Sequence, residues 1–178
     1  DVFCKIISFI SSYIGFLFCL ILIFIFFNKI FALYFGATYG IAVAFNFLLK
    51  HLINRPRPYV VDPAIINKFP AAGQAFPSGH TLSAGIIAAF LIFVILKTVK
   101  NKKLKVFLIC LCNVFVLFVI FARIYLGQHY LSDTMAGLAF AGIYSAVGLY
   151  IYNKGSKNGN KSNFKQVEEK AKTNKRRN

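Results

Sequence analysis

Three short polar stretches interrupt an otherwise apolar chain, and their residue types suit chemistry on phosphate. The first is Lys50-His-Leu-Ile-Asn-Arg55-Pro-Arg57-Pro58, the second Pro77-Ser78-Gly79-His80, and the third Arg123-Ile-Tyr-Leu-Gly-Gln-His129-Tyr-Leu-Ser-Asp133. Lys50, Arg57 and Arg123 are three cations with one nearby carboxylate, so a site built from them is positive and suited to a polyanion. Arginine adds a planar fork that matches two phosphate oxygens. Ser78-Gly79-His80 reads as the opening of a helix, whose free N–H groups and positive dipole end face the same place. Glycine at 79 lets the backbone approach a ligand closely.

His129 and Asp133 are four residues apart, which on one helical turn puts them on the same face. A carboxylate accepting from one ring nitrogen fixes the tautomer and makes the other nitrogen the nucleophile. His80 comes from a different stretch and can protonate the departing oxygen. Together these groups describe hydrolysis of a phosphomonoester or diphosphate through a phosphohistidine, with a bell-shaped pH profile. The cations do the charge neutralisation. Two histidines and one aspartate are too few for a two-metal site, so no metal and no cofactor is expected. Arg55 and Lys68 read as snorkelling anchors at span ends, and His51 as an interfacial residue. Each stretch alone is ordinary, since Pro-Ser-Gly often opens a helix and His129 with Asp133 can be a capping pair. The specific signal is all three on one face.

The elements that must bring them together are transmembrane helices. The chain has 178 residues, 58% hydrophobic and 17% aromatic, with only 15% charged and a mean hydropathy of +0.65. Soluble domains are about a quarter charged, so a soluble fold is excluded. The net charge of +16 would fit a nucleic-acid partner, but this much Phe and Ile does not. Cys4, Cys19, Cys110 and Cys112 sit among apolar residues and read as small core hydrophobes. Apolar stretches near 6–27, 30–49, 79–96, 106–122 and 134–152 approach or reach the roughly 17–25 residues that cross a bilayer. They are continuously apolar, without the period of two that marks strands. The predicted fold is all-α, a polytopic transmembrane helical bundle with five spans visible. Gly137, Ala141, Gly142, Ser145 and Ala146 place small residues where the last span can meet another closely.

Charge sets the orientation. Fifteen of the 21 Lys and Arg fall on the side holding Lys29, the 97–105 loop and the C-terminal tail, and six fall on the side of the three stretches. The side with fifteen is predicted to be cytoplasmic, which places the site on the extracytoplasmic face. An odd number of spans with the C-terminus inside leaves the N-terminus outside with no signal sequence before it. A further span before residue 1, giving six in the parent, is the expectation; five spans behind a removed signal is the alternative. Residues 1–152 form the membrane domain. Residues 153–178, rich in Lys, Asn, Gly and Ser, are expected to be a basic disordered cytoplasmic tail. Its Lys175-Arg176-Arg177 cluster serves as a topology signal, with contact to anionic lipid as the lesser reading.

The stretches resemble the three signatures of the type 2 phosphatidic acid phosphatase superfamily, the integral-membrane lipid phosphatases related to vanadium-type haloperoxidases. A Lys, six residues, then Arg-Pro is matched by Lys50 and Arg57-Pro58. Pro-Ser-Gly-His is matched by 77–80 without change. The third, Ser-Arg, five residues, His, three residues, Asp, is matched by Arg123, His129 and Asp133, with Ala122 in place of its Ser. The resemblance covers residues 6–152. It implies His129 as nucleophile, Asp133 as its partner and His80 as acid, with Lys50, Arg57, Ser78, Gly79 and Arg123 binding phosphate. It also implies a bacterial inner-membrane enzyme whose partners are a lipid phosphate and membrane lipids. Undecaprenyl diphosphate is the favoured substrate, followed by phosphatidylglycerol phosphate and phosphatidic acid. Ala122 removes a hydroxyl, and the alternatives are therefore a carrier that binds lipid phosphate without hydrolysing it, or a phosphotransferase to another acceptor.

Overall fold

In hydrocarbon a backbone must satisfy its own hydrogen bonds, and the apolar runs here do so as helices. The computed structural model describes residues 2–68 and 73–175, with side chains in the last helix described as far as Ser156 and at Asn158. The elements are α1 (Val2–Ile10), α2 (Tyr13–Phe26), α3 (Lys29–Ile53), α4 (Pro58–Val61), α5 (Gly79–Thr98), α6 (Lys102–Tyr125) and α7 (Leu131–Lys175). Short polar residues start them. Asn28 Oδ1 accepts from Phe31 N at 2.9 Å, and Asn101 Oδ1 accepts from Leu104 N at 3.1 Å. At the far end of α3, Asn54 takes the left-handed conformation with φ 49° and turns the chain toward α4.

Helices α3, α5, α6 and α7 as far as Ser156 are long and apolar enough to cross a membrane. The chain is a multi-pass membrane protein. The expected first span, 6–27, is instead a bent pair: α1 and α2 meet at 49° across Ser11-Ser12 and together count as the fifth candidate. Helix α2 alone has 14 residues, about 21 Å of rise, which is short of a bilayer core of about 30 Å. The two serines account for the bend. Ser11 Oγ donates to Ser8 O at 3.1 Å and Ser12 Oγ to Phe9 O at 2.6 Å, engaging carbonyls at the end of α1.

Helix α5 is central and packs against α7, α6, α3 and α2. Lipid tails are as apolar as leucine, so close approach rather than hydrophobic burial drives this packing. A Cβ built on Gly137 would stand 2.5 Å from Ser78 O and 3.3 Å from Leu82 N. Only glycine lets α7 lie this close to the start of α5. Toward the other end an aromatic cluster fills the space between α3, α5 and α7, with Phe31 buried against Phe90, Phe93 and Tyr152 at centroid distances of 4.9–5.3 Å. Large apolar side chains such as Leu33, Ile41 and Phe118 remain exposed, as lipid-facing positions should.

Helix α7 continues to Lys175, through the segment whose composition predicts disorder. Its Lys, Glu, Gln and Ala residues are good helix formers, and extending an existing helix carries no nucleation penalty. Arg176 and Arg177 of the basic cluster lie outside the described residues.

Candidate active site

Each predicted residue is held by a local rule of chain geometry. Lys50 is in the last turn of α3, and Arg57 follows the Asn54 turn at the start of α4. Gly79 and His80 are the first residues of α5, and Arg123 lies in the last turn of α6. The connection from α6 to α7 turns at Gly127, with φ +70°; a Cβ there would stand 3.1 Å from both Ile65 Cγ2 and Ile66 O. That turn seats the His129 loop against the 62–68 segment. Lys50, Arg57, Gly79, His80, Arg123 and His129 all line one cavity of about 420 Å³. Of the other two predicted site residues, Asp133 stands behind His129 and Ser78 is directed elsewhere.

Neutral oxygens position the cations. Lys50 Nζ donates to Gln74 O at 2.7 Å. Arg57 donates through Nε to Gly73 O at 2.8 Å and through Nη1 to Gln128 Oε1 at 2.9 Å. Arg123, 2% exposed, donates through Nη1 to Ser8 Oγ of α1 at 3.1 Å, and its Nε has no partner. A buried guanidinium with an idle N–H has capacity left for an anion.

His129 and Asp133 face each other at 3.6 Å between Nδ1 and Oδ2, too long for a hydrogen bond, and Nδ1 has no partner. Catalytic hydrogen bonds are often loose before substrate arrives. The pair is not on one helical turn as the spacing suggests. His129 lies in the loop before α7, and Asp133 in its first turn. There Asp133 Oδ2 also accepts from Tyr130 N at 2.9 Å, one arm of a capping box. One carboxylate therefore caps the helix and faces the histidine. Burial, reinforced by Arg123, Arg57 and Lys50 and opposed by Asp133, lowers the His129 pKa to about 4. The ring is neutral at physiological pH, the state a nucleophile needs.

Two expectations change. Arg55, expected to be a snorkelling anchor, binds the back of the site. Its Nη1 donates to Asp133 Oδ1 at 2.7 Å and to Ser132 Oγ at 2.8 Å, with the guanidinium 4.0 Å over the Tyr130 ring. Ser78, expected to bind phosphate, is fully buried as the cap of α5. Its Oγ accepts from Thr81 Oγ1 at 3.0 Å, and its N–H donates to Asp133 O at 3.0 Å. It ties α5 to the His129–Asp133 corner and is not among the residues lining the cavity. Nor is Ala122, which is buried with Cys4 and Leu126. Phe45 packs on Phe140 and Tyr144, and Phe47 on His51. Lys68 sits over the Tyr125 ring at 3.7 Å. Among the described residues no group of three or more His, Cys, Asp or Glu gathers as a metal site would need.

The family model described as the PAP2 superfamily matches residues 31–157. The chain belongs to the PAP2 superfamily. This PAP2 chain is 34% identical over 110 residues to a lipid A 1-phosphatase of Rhizobium etli, covering 59% of this chain and 43% of that protein. It is 31% identical over 109 residues to the undecaprenyl-diphosphatase BcrC of Bacillus subtilis, covering 61% of this chain and 51% of that protein. It thus spans about half the length of these curated relatives. Among solved structures, Aquifex aeolicus LpxE matches with TM-score 0.72 at 25% identity, covering 84% of this chain and 85% of that one. A transmembrane PAP2-type phosphatidylglycerolphosphate phosphatase of Bacillus subtilis shares the fold, with TM-score 0.74 at 20% identity, covering 85% and 75%. The PAP2 match spans all three polar stretches, and so the whole lining of the cavity except Ser11, Ser12 and Tyr13.

Proposed function

We propose that this PAP2 chain is a metal-independent lipid phosphatase working at the extracytoplasmic face of a bacterial inner membrane, with its C-terminal tail in the cytoplasm. The observation that carries the reading is the convergence of His80, His129 and three cations on one cavity, with Asp133 behind His129. In the first step the His129 nitrogen remote from Asp133 attacks phosphorus. The bond from phosphorus to the lipid-side oxygen breaks, and that oxygen takes its electron pair and a proton from His80. In the second step water attacks the phosphohistidine, gives its proton to His80 and releases phosphate. Lys50, Arg57, Arg123 and the Gly79 N–H region hold the phosphoryl oxygens through both steps.

Undecaprenyl diphosphate is the favoured substrate, in keeping with the likeness to BcrC; lipid A, phosphatidylglycerol phosphate and phosphatidic acid follow. The carrier reading drew its support from Ala122, whose side chain packs on Cys4 and Leu126 away from the cavity. The test is phosphate release in detergent from a panel of these lipids, with His129→Ala alongside and EDTA present in a parallel series. Turnover by the wild type in both series, abolished in His129→Ala, is expected. Wild-type silence on every lipid refutes the reading, interception of phosphoryl by an added alcohol in place of water makes it a transferase, and loss with EDTA refutes metal independence.

A further inference from the structure

The cavity is longer than a phosphate site. Its lining follows α3 from Lys50 through Asn46 and Val43 to Tyr39, eleven residues further along and about 16 Å of helix. These positions recur at four, three and four residues, so they share one face. The cations and histidines sit at the Lys50 end only. The arm beyond them is neutral and polar. Asn46 is 8% exposed, and its Oδ1 has no partner. Its Nδ2 borders the phosphate end, because a Cβ built on Gly79 would stand 3.5 Å from it. One turn along α5 from Gly79, Ser83 Oγ shares a hydrogen bond of 3.0 Å with Tyr39 OH, and both are buried. Two hydroxyls that share one hydrogen have a second to offer. A side-chain amide can turn over and place its N–H groups where its oxygen was. The arm therefore holds several donors in a place where an unmade hydrogen bond is costly.

Charge identifies what they donate to. Arg55 and Asp133 offset one another behind His129, and Lys50, Arg57 and Arg123 leave three positive charges lining the cavity. A phosphate monoester brings about −1.5 to −2 near neutral pH, and a terminal diphosphate about one charge more. The diphosphate matches the site; the monoester leaves positive charge uncompensated where screening is weak. Past the neutral arm the rim residues Val43 and Tyr13 are exposed, so a lipid chain leaves the cavity toward the bilayer.

Building on the proposed phosphatase reading, we infer that Asn46 and the Tyr39–Ser83 hydroxyl pair form a subsite for the second phosphate of a lipid diphosphate. When the terminal phosphorus passes to His129, the bridging oxygen keeps the electron pair of the broken bond and receives the His80 proton. The second phosphate stays with the lipid, and the Asn46 N–H groups stabilise the charge that builds on it.

Farnesyl diphosphate and farnesyl monophosphate differ by that phosphate alone, so the test is kcat/KM for phosphate release from each by the full chain in detergent. The wild type is expected to favour the diphosphate at least tenfold. Asn46→Ala should lower diphosphate turnover about ten- to a hundredfold, the range of a charge-assisted hydrogen bond, and leave the monophosphate within about twofold. Ser83→Ala should act in the same direction, and it decides the matter if Asn46→Ala does not fold. Equal losses on both substrates in a folded variant, or a wild type that prefers the monophosphate, overturn the subsite. A wild type inactive on both but active on another lipid phosphate overturns the subsite alone, and silence on the whole lipid panel overturns the phosphatase reading with it.

Discussion

Gly137 is where a single methyl group should cost activity without touching substrate. A Cβ at this position would stand 2.5 Å from Ser78 O, and ordinary contact begins at 3.4 Å, so about 0.9 Å must be found. The opposing atom is backbone, one residue before α5 begins, and it cannot swing aside as a long side chain would. In Gly137→Ala, α5 must move relative to α7, carrying Gly79 and His80 away from His129. A misplacement near 1 Å can cost about a hundredfold in rate, so kcat is expected to fall by ten- to a hundredfold. Overpacking of this kind destabilises by roughly 1–3 kcal/mol, enough to lower the melting temperature while the fold persists. Gly142→Ala on the same helix is the control, since nothing lies within 4 Å of its added Cβ. That variant should keep full activity and gain up to about 1 kcal/mol of helix propensity. Phosphate release and thermal unfolding, measured on both variants in the same detergent, give the answer. Gly137→Ala with wild-type kcat would refute the claim that this contact sets the spacing of the site.

Two further outcomes are expected. Arg55→Ala removes the 2.7 Å ion pair to Asp133; a charge-assisted bond is worth about 1.5–3 kcal/mol, and the exposure of Arg55 places the loss at the low end, about tenfold in kcat. Arg55→Lys should recover only part of this, because an ammonium cannot stack on the Tyr130 ring as a guanidinium does; unchanged kcat in Arg55→Ala would remove Arg55 from the site. The acid limb of kcat/KM should lie near pH 4, because burial lowers the His129 pKa to about that value from an ordinary 6.5 or so. Its sign for stability follows. Between about pH 6.5 and 4 the unfolded chain takes up this proton and the folded chain does not, so stability falls with falling pH across that window and is fully present above it. A limb at pH 6.5 would show His129 to be exposed.

Much of the site was legible because its cations and histidines lie in short contiguous motifs at the ends of apolar runs. Lys50, Arg57, His80, Arg123 and His129 could be read without knowing how the helices pack. What escaped depends on pairings across the chain. Arg55 meets a partner 78 residues away, and Tyr39 one 44 residues away, and local sequence carries no mark of either. A serine before a glycine suits both phosphate binding and helix capping, and the capping role of Ser78 rests on where α5 begins. The bend at Ser11-Ser12 was hidden inside an unbroken apolar run, although a serine pair within such a run is a recognised site of kinking. The tail carries two opposed signals. Composition argued for disorder, while helix-forming residues attached to an existing helix argued for continuation.

The carboxylate of Asp133 serves two masters, the first turn of α7 and the ring of His129. Fraying of that turn and loss of the support behind His129 are consequently one event. Helix ends open at far lower free energy than whole domains, so heat or harsh detergent should abolish the proposed activity while circular dichroism still reports an intact bundle. Inactivation would then be reversible on cooling, with α7 acting as a local fuse well below the temperature at which the membrane domain melts.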